Sequence, residues 1–148
     1  MITESLKSLY SRDLNKLKEE IEAYQNEENL WKTDKNISNS AGNLCLHLVG
    51  NLNHFIGAQL GNTGYMRHRD LEFSLKDVPR AELIEKTEST IVMIDAVLSK
   101  LSEDDLKKEY PLVVFETKMT TDYFLIHLVA HLDYHLGQIN YHRRLLDS

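Results

Sequence analysis

"HLVAHLDYHLGQINYH", residues 127–142, sets four histidines, His127, His131, His135 and His142, among residues that otherwise form helical cores, and so holds most of the chain's seven imidazoles. On a helix, His131 and His135 lie about 40° apart around the axis and about 6 Å apart along it, both pointing the same way. Two imidazoles so placed can share one metal ion. Gln138 and His142 continue near the same stripe, whereas His127 sits one turn earlier and drifts toward a flank. A buried imidazole needs a partner for each nitrogen. Several on one core-facing line must be reconciled by hydrogen bonds, water or a metal.

A second polar line precedes it. Asn43, His47, Asn51 and His54 recur at helical spacing among Leu44, Leu48, Leu52 and Phe55. If the two helices face one another, His47 is the natural third ligand beside His131 and His135, giving a three-nitrogen site with positions open to water or substrate. Rival signatures fail on the letters. Leu132 stands where a zinc protease helix needs its Glu, and no Glu precedes a histidine by three residues as in carboxylate-rich di-iron bundles. Cys45 is two residues from His47, about 200° around the helix, and reads as a packing residue. The bland alternative for the pair is satisfied core or surface. His54, His127 and His142 read as helix-end, rim or supporting residues, and His68, between Arg67 and Arg69, as solvated.

The surrounding chain fits an all-α bundle. Its 148 residues suit one domain, spanning 1–148, and 42% hydrophobic and 27% charged residues with only six Gly and two Pro describe a folded, loop-poor protein. A net charge of -6 argues against nucleic acid, which calls for an excess of Lys and Arg. No stretch approaches the ~18 apolar residues of a membrane span, and a single cysteine fits a reducing, cytoplasmic setting. Apolar positions from Ile2 to Tyr24 predict a first helix over residues 2 to about 27, followed by a polar loop that Trp31 anchors on the core. A second helix runs from about Ser40 to about Gln59, with Gly57, Gly61 and Gly64 as stop and turn signals. An irregular connection of about seventeen residues, 62–78, is long enough to suggest function. Asp77 and Pro79 introduce a third helix reaching Leu101 as its cap and first-turn proline, Leu112 to Phe115 read as a short strand or hairpin, and a last helix runs from around Thr120 to Asp122 to about Leu146. Long connections between four amphipathic segments indicate a four-helix bundle with at least one crossover.

Three segments, "LCLHLVGNLNHF", "GYMRHRDLEF" and "HLVAHLDYHLGQI", resemble the DinB-like superfamily of metal-binding four-helix bundles, which includes bacillithiol transferases. The resemblance covers nearly the whole chain in helix order, and its most specific element is His-x-x-x-His-x-Gly-Gln. It implies a metal held by one histidine of the second helix and two of the last, here His47, His131 and His135. Many members carry His-Arg-Gly-Gln where this chain has His135, Leu136, Gly137 and Gln138, so a basic contact is missing. The loop resembles a subgroup of unassigned function.

The expected cofactor is a divalent ion, with Zn or Ni foremost and Mn or Fe as alternatives, since imidazole suits several metals. The resemblance implies transfer of a low-molecular-weight thiol to an electrophilic small molecule, with hydrolysis as the nearer alternative. Asn51 and Gln138 are candidates for orienting the ligands or touching substrate, and ordinary helix polarity is the competing reading. Arg67 and Arg69, in the long loop with Asp70 and Glu72, are candidates for holding a carboxylate or phosphate, or else form an ion-pair cluster that pins the loop. From another class comes a non-catalytic, metal-stabilised binding or stress-response module, a homodimer through an apolar helix face.

Overall fold

The first apolar stripe forms helix α1, Ile2–Ala23, in a computed structural model that describes residues 2–148. Leu6, Tyr10, Leu14, Leu17 and Ile21 are buried along one face, as the three-and-four spacing requires. The helix stops before residue 27 because Asn26 begins a separate 3₁₀ turn, Glu27–Trp31, its side chain accepting from the Glu28 N–H. Trp31 does pack on the core. Its ring lies 2.8 Å from where a Cβ on Gly42 would stand, so only glycine allows the indole this close to the next helix.

Ser40 caps that helix, α2, Ala41–Leu52, by accepting from the Asn43 N–H. The rod then widens into a π-helical turn, Asn53–Ala58, before the short α3, Gln59–Gly61, and ends at Asn62 in the left-handed region. The long connection is not wholly irregular: it contains α4, Arg69–Ser74. Helix α5, Arg80–Ser99, is shorter than expected and is capped differently. Asp77 has a left-handed backbone (φ 58°) and belongs to the preceding turn, while Pro79 itself takes the cap position, its carbonyl accepting from Glu82 and Leu83.

After α6, Glu103–Lys107, closed by a reciprocal Ser102–Asp105 capping box, the expected strand over Leu112 to Phe115 does not form. The β-prone letters have no sheet to join, and Val113 and Phe115 remain exposed. The segment is instead a loop pinched at its base by an antiparallel bridge between Glu109 and Thr120. Helix α7, Thr121–Leu146, completes the bundle.

Helix α1 packs against α5 and α7, and so does α2, while α1 and α2 scarcely touch. Consecutive helices α1 and α2 are therefore diagonal neighbours, which explains why a long connection must cross the bundle end between them. His47 meets His131 and Phe55 meets Phe124, so α2 and α7 run antiparallel. Among the described residues, no helix is long and apolar enough to cross a membrane.

Two buried hydroxyls bind distant elements. Tyr10 Oη donates to the Leu125 carbonyl at 2.6 Å, and Tyr110 Oη donates to the Phe55 carbonyl inside the π-helical turn at 2.5 Å. Replacing Tyr10 with Phe keeps the ring and removes only the first bond. We expect Tyr10→Phe to lower stability by about 1 kcal/mol, measured by urea unfolding, with an unchanged denaturant slope.

Candidate metal centre

Helix α2 contributes His47, and α7 contributes His131 and His135, four residues apart on one face. The structure brings the three together. His131 Nε2 is 3.3 Å from His47 Nε2 and 3.2 Å from His135 Nε2, and one nitrogen from each ring falls within 4.8 Å of the others. These two shortest separations match the ~3.3 Å edge of a tetrahedron built on metal–nitrogen bonds of ~2.0–2.1 Å.

Outer partners fix the direction of two rings. His47 Nδ1 lies 3.0 Å from Glu72 Oε1, and His135 Nδ1 lies 2.7 Å from Gln138 Oε1. Each Nδ1 therefore donates outward, leaving an Nε2 lone pair turned toward His131. One neutral His131 supplies at most a single N–H between two such lone pairs, and its own Nδ1 is buried without a partner. The donor set fits a shared cation: three histidines lie close enough to bind a metal ion.

The electrostatics favour neutral, ligand-competent rings at His131 and His135. Burial, reinforced by His135, His47, His127 and Arg67, pushes the His131 pKa down to about 4. Burial also lowers His135, with Gln138 opposing the shift. For Glu72, burial works to raise the pKa, but hydrogen bonds from His47 and Arg67 prevail and hold the carboxyl below its ordinary value.

Glu72 was legible only as a loop acid, and its position depends on Gly50. A Cβ at residue 50 would stand 1.9 Å from Glu72 Oε2, so the carboxylate occupies the notch that this glycine leaves in α2. From α4 it reaches across to His47. Arg67 completes the arrangement with Nε 2.8 Å from Oε2 and Nη2 2.9 Å from Oε1. Asn43 ties the same loop to α2, donating through Nδ2 to the carbonyls of Glu72 and Leu75. Phe73 lies over His47 at 4.9 Å, with the Arg69 guanidinium 5.3 Å from its ring centre.

Other expected positions fall around this core. Asn51 is buried one turn beyond His47, with its Oδ1 unpartnered. His127 stacks on Phe124 and meets Phe115 edge-on, and His54 packs beside Phe55. Burial lowers the pKa of both His54 and His142. His68 is exposed at the start of α4. Cys45 points away to Thr87, 3.7 Å from its hydroxyl, and burial raises its thiol to about 11.

The Gly50 notch yields a coupled prediction. Gly50→Ala is expected to lower the melting temperature by several degrees, in line with the ~1–3 kcal/mol of an overpacked site. The same change should lose most of its effect in a Glu72→Ala background, where the clashing group is absent, and a thermal double-mutant cycle measures the coupling. No curated protein matches the chain. A family model described as "Protein of unknown function (DUF1572)" matches residues 3–148. Because that match extends over nearly the full length, the chain belongs to the DUF1572 family.

Proposed function

We propose that this protein is a metal-dependent enzyme of DinB-like type, in which His47, His131 and His135 hold a divalent ion and a low-molecular-weight thiol is joined to an electrophilic small molecule. The observation that carries this reading is the convergence of three Nε2 atoms from α2 and α7. Three protein ligands leave coordination positions open, which is the pattern of a catalytic rather than a structural site. Zn or Ni suits an all-imidazole set best, with Mn or Fe as alternatives. A bound ion of this kind supplies Lewis acidity that makes a thiolate or hydroxide accessible near neutral pH.

The chain's own groups then do the positioning. Glu72 holds the proton on His47 Nδ1 and Gln138 holds that on His135 Nδ1, fixing tautomer and ring direction. Arg67, with both of its carboxylate-facing nitrogens engaged, steadies Glu72, whereas Arg69 stacks on Phe73 and pairs with no acid among the described residues, which suits contact with an anionic substrate group. A reducing, cytoplasmic setting belongs to the same proposal, and a chain with one cysteine and so no intramolecular disulfide is compatible with it.

Loss of a central ligand provides the first test. His131→Ala is expected to abolish stoichiometric Zn or Ni binding, and Glu72→Gln to weaken it about tenfold with the fold retained, by calorimetric titration and elemental analysis. Full metal content in His131→Ala would remove the ligand assignment. The second test compares metal-loaded and chelated protein across a panel of thiols and electrophiles, where metal-dependent turnover is expected. Tight metal binding with no turnover across the panel would favour a metal-stabilised binding module instead.

A further inference from the structure

Helix α7 carries a bare face beside its ligand face. Tyr123, Ile126, Ala130, Tyr134, Tyr141 and Leu145 recur at intervals of three, four or seven residues, with Gly137 completing the line, and all seven are exposed. On a helix these positions share one side, and none is charged. Exposure is large where the side chains are large: Tyr134 and Tyr141 at 66%, Leu145 at 67% and Tyr123 at 60%.

From this stripe we infer that α7 is a self-association surface, occupied by a second copy of the chain in antiparallel orientation about a two-fold axis at Tyr134. Area is the first reason. With ~150–250 Å² for each aromatic side chain, the face presents on the order of 700 Å², near the ~800 Å² per partner of a standard interface and above the ~300–600 Å² largest patch of a typical monomer.

The second reason is the order of sizes along the face. Tyr134 is flanked by small residues on both sides, Ala130 before it and Gly137 after it, then by Ile126 and Tyr141, and finally by Tyr123 and Leu145. An antiparallel pair crossing at Tyr134 therefore sets Tyr123 against Leu145 of the second copy, Ile126 against Tyr141, and Ala130 against Gly137. The small pair lets the helices approach, and space beside Gly137 is open, with nothing within 4 Å of an added Cβ. Each Tyr134 ring is the knob for that depression. Such self-complementarity is what an isologous two-fold contact requires.

Charge at the two ends of one flank of the stripe agrees with this direction, while Asp133, on the same flank near the axis, faces Arg12 and Lys16 of its own α1. Arg144, on one flank of the stripe, bonds only to Asn140 and pairs with no acid among the described residues, while Asp122 stands on the same flank at the opposite end. Antiparallel packing brings Arg144 of one copy beside Asp122 of the other. A parallel two-fold would carry this flank to opposite sides of the seam and leave Arg144 without that partner.

The inference stands apart from the metal assignment, although Tyr134 meets the His135 ring edge-on at 5.3 Å and a second copy would wall that side of the centre. The test is sedimentation of the full chain at concentrations up to on the order of 100 μM. A mass twice 17.2 kDa is expected, falling to the single mass for Tyr134→Glu and separately for Ala130→Arg, with far-UV circular dichroism unchanged. Because Cys45 is buried, Tyr134→Cys introduces a lone accessible thiol that should close a disulfide across the two-fold under mild oxidation. A wild-type monomer over that range, or a dimer that survives both charged variants, would overturn the proposal. Metal content measured on the same samples separates this outcome from failure of the metal reading.

Discussion

The seating of one carboxylate organises the candidate centre. Glu72 is taken out of water, and an isolated buried charge of that kind is strongly unfavourable unless every lone pair finds a donor. Here the donors come from two directions: His47 from the helix below, and Arg67 from five residues upstream in the same loop. The arrangement has an all-or-none character. Without the notch at Gly50 the acid cannot reach the imidazole, and without Arg67 it would sit desolvated beside a single weak donor. A loop folded over α2 and a ring aimed at α7 are thus consequences of the same contact.

Much of this was legible in the letters, and for a clear reason. Periodicity reports which face of a helix is buried, so the four main rods and the common direction of His131 and His135 come from spacing alone. The meeting of His47 with that pair was readable as a conditional, on the two helices facing each other, because two polar lines in an apolar interior can satisfy one another there. Gln138 beside His135 is likewise a one-turn relation.

The parts that escaped depend on contacts between distant segments. Glu72 bonds to a residue 25 positions away through space vacated by a glycine, and no local pattern encodes that meeting. The π-helical turn at Asn53–Ala58 carries ordinary helix-forming and apolar letters, and its widened carbonyl at Phe55 is satisfied by Tyr110 from across the fold. Leu112 to Phe115 show the reverse case: strand propensity without a partner edge yields a loop, since ladder bonds need a second strand. Asp77 was misplaced by its residue type, which favours caps and left-handed turns alike; the backbone chose the turn.

Trp31 has a practical consequence through its contact with Gly42. It is the chain's one indole, and it rests on the first turn of the helix that carries His47 five residues later. Light emitted by this residue is accordingly a single-site optical gauge of how the α2 terminus is seated, free of interference from any other tryptophan, and any slippage of that rod relative to the preceding loop would register as a change in its colour or brightness.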